Sequence, residues 1–495
     1  MMRYGILILC SFLAPALMAQ EVDVLVYGAT PAGIAAALAA AEDGEKVLLV
    51  EKSDRIGGML TNGVSHADVR SFEALTGTFL NFMKRVQREY DAEGGKDVEA
   101  ASARGMRWEP KVGLRVLEKM LAEQPGITLK QEWALEAVNS SSDAESNDPE
   151  ASRAVEVCLF ADAKGERHSV PARFFVDATY EGDLLAALGA AYRVGREASD
   201  TYGERLAPDE EDGAVQAYSL RLCMTREAEN RVAVREPAGY ARDDFAGVLP
   251  LIKSGAVTAA FGTTPTCIFQ PSASPLLHSK FEIDETPRGP VRLSLAGAND
   301  GWPDGGGGVA LREGVATTLS APPFSRVGLA RTREEITQEH VNWTVGLLHF
   351  LQSDAALPEA FRNAAKQWGW CRDEYRDNGH IPDQLYVREA RRLQGRHVYT
   401  ESDWAVEPGD CRALLHEDAI AIGDQGPSCV GVAQEGSRFG GEREGEFEQR
   451  VPPYQVPYGV LVPRNFENLL VTCAISSSHV GFCALRFEPI WTSLR

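Results

Sequence analysis

What this chain can fold into is decided early, between residues 22 and 52. The sequence there reads VDVLVYG, then ATPAGIAAALAAAEDG, then EKVLLVEK. A continuous β-branched, apolar run marks a strand buried on both faces, and the alanine-rich stretch has helical propensity. Strand, glycine turn, helix and strand in this order predict a parallel β-α-β unit. Gly28 permits a tight turn, Gly33 lets the helix pack closely on the strand, and the helix N-terminus offers unpaired N–H groups and a positive dipole to a diphosphate. Thr30 stands where the usual pattern has its middle glycine. Glu51 ends the second strand 23 positions after Gly28 (51 − 28), near the roughly 20-residue offset of a carboxylate that binds ribose hydroxyls. A glycine turn alone also occurs in α/β sheets that bind nothing; with the strands, helix and acid in order, it predicts dinucleotide binding.

Which dinucleotide is suggested by Arg55-Ile56-Gly57-Gly58-Met59-Leu60-Thr61-Asn62-Gly63. Two glycines soon after the ribose acid let the backbone approach a bulky cofactor, and flavoproteins place a second FAD contact there. A flexible loop would show the same residues. Further on, Phe174-Phe175-Val176-Asp177-Ala178-Thr179 is a buried strand breaking into a polar turn. In a fold of this kind such a strand end lies near the dinucleotide.

Helical patterns follow near Thr76 to Tyr90 and Gly113 to Glu123. The acidic segment from Asn139 to Arg153 lacks apolar periodicity and reads as a surface loop. AVEVCLF and RHSVPARFFVDATYEGD look like strands returning to the first sheet. From Ile336 to Arg372 the apolar spacing is helical, and the final VPYGVLVPRNFENLLVTCAISSSHVGF alternates turns with apolar strands. The expected organisation is a leader over 1–19, the first part of a dinucleotide-binding domain over 20–210 with its acidic loop at 139–153, a substrate or cap region over 211–400 with a helical segment at 336–372, and a return to the first domain over 401–495. The fold class expected is α/β, a Rossmann-type domain with a parallel sheet plus a mixed α+β cap.

Four groups of residues carry a family resemblance: DVLVYGATPAGIAAALAAAEDGEKVLLVEKSDRIGGMLTNG; FVDATYEGDLLAALGA with YRVGRE; QLYVREARRLQG; and VPYGVLVPRNFENLLVTCAISSSHVGF with RFEPIWTSL. They are scattered from residue 22 to residue 494. The chain resembles the FAD-dependent oxidoreductases related to the glutathione-reductase and fumarate-reductase flavoproteins. The resemblance implies FAD as cofactor, contacted by Gly28, Gly33, Glu51, Gly57, Gly58 and Thr179. Thr30, Pro31, Ala32, Lys52, Met59, Asp177 and Ala178, in the same motifs, complete the expected cofactor contacts. Arg388, Arg392, His479 and Arg486 match polar positions of family motifs and are the expected catalytic or substrate-side residues. Arg388 and Arg392, four apart around Glu389, are equally the pattern of a solvated, ion-paired face. A neutral His479 could accept a proton as hydride leaves the substrate, or satisfy a buried backbone group.

The resemblance implies hydride transfer between an unidentified small organic substrate and flavin, with the electron acceptor open. GGGG at 305–308 lacks strand-helix context, so no internal nicotinamide site is expected. Family members continue past EPIWTSL into a glycine- and alanine-rich helix aimed at the flavin pyrimidine. Here the last residue is Arg495, so the expectation is a C-terminally truncated member, with a flavin-binding remnant lacking turnover as the alternative. A polysaccharide-cleaving enzyme, using the acidic pairs Glu181/Asp183 or Glu442/Glu444, is a weaker reading, since carboxylates at i and i+2 are usually solvated.

Composition narrows the remaining classes. A formal net charge of −21 repels phosphate backbones and argues against nucleic-acid partners. Arg3, the apolar stretch from Ile6 to Met18 and small residues at Ala16 and Ala19 form a signal-peptide layout, so export to the periplasm or beyond is expected. That stretch is shorter than the roughly 20 apolar residues of a membrane span. Only one arginine precedes it, which implies passage unfolded and FAD capture outside the cytoplasm. Eight cysteines remain beyond Cys10, with no C-x-x-C among them. Neither a zinc ribbon nor the redox disulfide of flavin disulfide reductases is expected, and no metal site.

Overall fold

The computed structural model describes residues 22–493, apart from 95–97, 99–100, 142–151, 288, 296–331, 407–408 and 436–437. The leader, the centre of the acidic loop and the GGGG run therefore lie outside the described residues. Strand β1 (Val22–Tyr27), helix α1 (Pro31–Glu42) and strand β2 (Val47–Val50) form the unit expected from their sequence. β1 and β2 run parallel, with Leu25 opposite Leu48. Alanine dominates α1, which lets it lie close against the sheet.

Strands β3 (Ile127–Lys130), β4 (Ala134–Ser140), β5 (Val155–Ala161) and β6 (Arg167–Asp177) complete this sheet with Leu469–Val471. The order is β3-β2-β1-β6-β5-β4, and Leu469–Val471 also pairs with β6. β6 serves two partners: its first half runs antiparallel to β5, its second half parallel to both β1 and Leu469–Val471. The parallel part is buried on both faces, by Leu25, Tyr27 and Phe175 on one side and Val24, Val26 and Val176 on the other. This is the Rossmann-type α/β sheet. Asn139 and Ser140 belong to β4, and Arg153 bridges to Phe466. The loop read over 139–153 is thus shorter at both ends, because Asn139 and Ser140 pair across to Val157 and Val155.

Among the described residues a second, six-stranded sheet lies in the middle of the chain. Its order is Ala259–Phe261, Cys267–Pro271, Lys280–Glu285, Leu222–Thr225, Gly369–Cys371 and Arg231–Val232. Helix Arg333–Ser353 covers it, burying Ile336, Leu347, Phe350 and Leu351 in the same core as Leu222, Ile268 and Ile283. Thr332 starts that helix with a capping box to Glu335. The helical reading over 336–372 needs correction. Helix ends at Ser353, resumes only over Glu359–Ala365, and Gly369–Cys371 is a strand. Pro358 breaks the run, and at Gly369 a Cβ would lie 2.4 Å from the Val232 carbonyl oxygen, so the chain there takes sheet pairing.

The two sheets are tied by a buried cation. Lys280 Nζ, fully shielded from solvent, is 2.5 Å from Glu109, 2.7 Å from Asp373 and 2.6 Å from Glu374. Glu109 caps the helix Pro110–Ala122 of the first unit, whereas Lys280 opens a strand of the second. All eight described cysteines are free thiols, seven of them buried and Cys411 exposed.

Removing this cation leaves Glu374 buried without a counter-ion and Glu109 with only Lys111 at 3.6 Å and His278 at 3.2 Å. Lys280→Met is expected to cost about 3–5 kcal/mol, the usual penalty of breaking one side of a buried pair. Urea denaturation followed by circular dichroism measures it; a loss below about 1 kcal/mol would show that the charges are not matched as described.

Candidate functional site

The expected cofactor residues gather at the N-terminus of α1. Gly28 has φ +101°, and a Cβ there would lie 2.7 Å from the Ala178 carbonyl. At Gly33 a Cβ would be 1.9 Å from the Gly28 oxygen. These glycines are required because helix, turn and the end of β6 touch through their backbones. Thr30 caps α1: its Oγ1 accepts from Gly33 N and donates to the Ala178 carbonyl at 2.8 Å. The threonine in the middle-glycine position thus bolts the turn to the strand end.

Glu51 is buried beside the turn. One carboxylate oxygen accepts from Ala29 N at 2.8 Å, the other from the Ser53 amide and hydroxyl. Gly57, left-handed at φ +89°, donates its N–H to Ala29 at 2.7 Å, so the second glycine pair closes on the first turn. Gly58 approaches Pro31 and Tyr180, and Tyr180 Oη accepts from Met59 N. Asp177 accepts from Thr179 N, Thr179 Oγ1 and Leu185 N, which shapes the turn after β6; burial pushes its carboxyl up to about 6. Lys52 points elsewhere, to Glu181 at 3.6 Å and Asp183 at 4.0 Å.

Do these residues suit a dinucleotide? Among the described residues, no protein acceptor meets the buried backbone N–H groups of Thr30, Ala32 and Gly58. Buried amide donors are rarely left so, and three around one helix N-terminus suit the oxygens of a diphosphate. Glu51 spends three of about four lone-pair sites on the chain, which leaves room for a ribose hydroxyl. Glu488 Oε2 and Trp491 Nε1 are also buried without partners, next to Tyr180. The donor set fits FAD.

From the second glycine pair the chain runs on to a cluster of arginines. At Gly63 a Cβ would strike the Arg221 carbonyl at 2.2 Å, and His66 bonds Glu282 at 2.6 Å. The guanidinium carbons of Arg388, Arg221 and Arg486 lie 4.6, 5.2 and 6.0 Å from the ring centre of Tyr386. Arg221 is matched by Glu282 and Asp284. Arg388 and Arg486 are buried, and neither makes an ion-pair contact among the described residues, although Asp284 and Glu285 act on Arg388 and Asp68 on Arg486 from farther away. Arg388 donates to the Ala217 carbonyl and Ser219 Oγ, and Arg486 to the Ser428 carbonyl and Tyr386 Oη. Burial, reinforced by Arg221, lowers the Arg388 pKa to about 10.

Arg392 and His479 meet next door. Glu389 accepts from His479 Nδ1 at 2.8 Å and lies 3.1 Å from Arg392 Nε, while Arg392 also reaches Glu197. The solvated face read for Arg388, Glu389 and Arg392 is therefore set aside: all three are buried. Burial opposes charge on His479, but Glu389 and Cys429 outweigh it and raise the imidazole to about 10. A neutral proton acceptor is not its resting form. The acidic pairs are likewise engaged: Asp183 with Arg333 and Arg391, Glu444 with Arg196.

Tyr386, Glu389, Arg221, Tyr180, Glu488 and Cys429 are missed by motif reading. One signal existed for the first two: in LYVREARRL the apolar Leu385, Val387, Ala390 and Leu393 are spaced as core residues, and all are buried. Charged residues threaded between core positions have to be buried as well.

Compared with known proteins, a family profile described as FAD dependent oxidoreductase matches residues 23–494. No curated protein matches the chain. Among solved structures, L-proline dehydrogenase from P. horikoshii is 17% identical, with 32% of this chain and 23% of that chain covered and a TM-score of 0.20. The bacillithiol disulfide reductase Bdr from Bacillus cereus is 18% identical, with 32% and 40% covered and a TM-score of 0.22. For Thermovibrio ammonificans THI4 the figures are 16%, 39% and 76%, with a TM-score of 0.24. The chain thus spans less than half the length of the first two.

Glu488 gives the site a pH signature. Burial holds its carboxyl up to about 8, against an ordinary 4.5, although Tyr180 donates to it. Between these values the folded chain keeps a proton that the unfolded chain has released, so stability falls as pH rises through the window and levels off above about 8. The slope attributable to this group is up to about 1.4 kcal/mol per pH unit. Glu488→Gln is expected to remove it. Urea midpoints at about pH 5.5, 7 and 8.5 for both proteins test this, and parallel curves would refute it.

Proposed function

This chain belongs to the FAD dependent oxidoreductase family, and from that premise we propose that it moves hydride between flavin and a small organic substrate bearing an anionic group. FAD, when bound, supplies the two-electron centre. The N–H groups of Thr30, Ala32 and Gly58 would hold its diphosphate and Glu51 a ribose, with Gly28, Gly33 and Gly57 allowing the close approach.

The substrate reading rests on one observation: Arg388 and Arg486 are buried cations flanking Tyr386 with no carboxylate in contact among the described residues. An unmatched buried charge is expensive, so an anion brought by the substrate would complete the cluster. Such a pair would orient the substrate before hydride moves. Arg392 and Glu389 we assign to positioning, since they engage His479 rather than an open face. His479 itself is committed at Nδ1 to Glu389, with Nε2 directed at Cys429 Sγ 3.9 Å away. The proposal extends to export, on the strength of the leader-like residues 1–19; the electron acceptor would then be extracytoplasmic.

Reconstitution of the chain with FAD, followed by anaerobic reduction with a panel of carboxylate and neutral donors, tests the reading. Flavin absorption should appear in the wild type and be lost in Gly33→Val, whose side chain has no room. Arg388→Met should retain FAD yet reduce flavin with anionic donors at least about 30-fold more slowly, matching the roughly 2–5 kcal/mol carried by a desolvated charge contact. Equal rates with neutral donors and an unaffected Arg388→Met would discard the anionic substrate. A chain that refuses FAD would discard the flavin role.

A further inference from the structure

Cys429, His479 and Cys483 belong to different parts of the chain, yet their ligand atoms lie within 4.8 Å of one another and all three side chains are buried. Cys429 is on the strand Ser428–Glu435, where pairing with Glu442–Glu448 shifts register between Val430 and Ala433. Gly431, at φ +94°, carries this bulge. A bulge re-aims neighbouring side chains. His479 opens the helix His479–Leu485, capped by Ser478, and Cys483 is four positions on, hence on the same face.

The histidine is prepared as a ligand. Its Nδ1 bonds Glu389 at 2.8 Å, and Arg392 Nε holds that carboxylate at 3.1 Å. This fixes Nδ1 as the donor atom and turns Nε2 towards Cys429 Sγ, 3.9 Å away. A carboxylate behind the distal nitrogen is the outer-sphere arrangement typical of metal-bound histidines. With zinc–sulfur and zinc–nitrogen bonds of about 2.3 and 2.0–2.1 Å, tetrahedral ligands lie roughly 3.6 Å apart. The observed separation needs to close by only a few tenths of an ångström.

Two thiols and an imidazole select a thiophilic ion and disfavour magnesium or calcium, which require oxygen. We propose that Cys429, His479 and Cys483 bind one zinc ion, with Glu389 supporting His479. Three protein ligands leave a fourth position for a non-protein donor, the pattern of zinc sites open to chemistry rather than closed for structure alone. The ion ties the bulged strand to the helix that leads into Arg486. This site goes beyond flavin chemistry, and its test does not depend on flavin turnover.

The full chain, loaded with FAD and dialysed against chelator-treated buffer, is analysed for metal by inductively coupled plasma mass spectrometry. One zinc per chain is expected, falling close to none in Cys429→Ser and in Cys483→Ser. Cys223→Ser, at a different buried thiol pair, should retain the ion. Glu389→Gln should weaken zinc roughly 10- to 100-fold in competition with a chromophoric chelator. Cobalt(II) added to zinc-free wild-type protein should give thiolate-to-cobalt charge-transfer absorption. That measurement decides the matter even if the serine variants fail to fold. Wild-type protein that binds neither metal, or that carries a Cys429–Cys483 disulfide by mass spectrometry, would overturn the proposal.

Discussion

Backbone-to-backbone contact between the turn after β1 and the end of β6 is the constraint on which the site depends. Gly28 and Gly33 meet Ala178 and each other at distances that exclude any side chain. Because the helix start is pressed onto the strand end, its N–H groups face the C-terminal edge of the parallel strands. Glu51, directly after β2, and Gly57 from the following loop both bond to Ala29, so they are gathered by the same turn. Loosening this contact would move helix dipole, ribose acid and second glycine pair apart together. The specificity of a Rossmann-type site thus comes from absent atoms as much as from present ones.

Farther from the turn, charge matching takes over from packing. The interior holds many cations, and most are answered: Lys280 by three carboxylates, Arg392 by Glu197 and Glu389, Arg221 by Glu282 and Asp284. Matched pairs of this kind fix geometry more than they stabilise it, since desolvation offsets much of the attraction. Against that pattern the two cations beside Tyr386 stand out. Their guanidinium groups bond backbone carbonyls and hydroxyls instead of carboxylates.

The β-α-β unit is legible in the sequence because its signals are local: a strand, a glycine turn and an alanine-rich helix within about thirty residues. Glu51 is legible because its offset from Gly28 is set by the length of that unit. Arg388, Arg392, His479 and Arg486 are legible only through family motifs, since the groups that define them are distant in the chain. Glu389 and His479 are 90 residues apart, Tyr180 and Glu488 308. Periodicity misjudges residues 354–372 because single apolar positions cannot tell a short helix from a strand. The Cys429–His479–Cys483 cluster escapes a spacing search because one ligand comes from a bulge in another sheet.

Buried polar atoms without partners occur in several parts of the described molecule, at Arg193, Tyr375 and Trp404 for example, and one group of open sites follows the path expected for the cofactor. Open backbone donors lie at Thr30, Ala32 and Gly58; Glu488 and Trp491 carry unpartnered polar atoms beside Tyr180; and Arg388 and Arg486 flank Tyr386. Tyr180 and Tyr386 lie in one apolar cluster with Ala32, Met59 and Trp491. Elsewhere in the interior, polar groups of similar depth, such as Asp177 and Glu109, are engaged several times over. Along the path from the α1 turn to the arginines, the cofactor and the substrate would each supply bonds the protein leaves open. Binding of either ligand should therefore stabilise the folded chain.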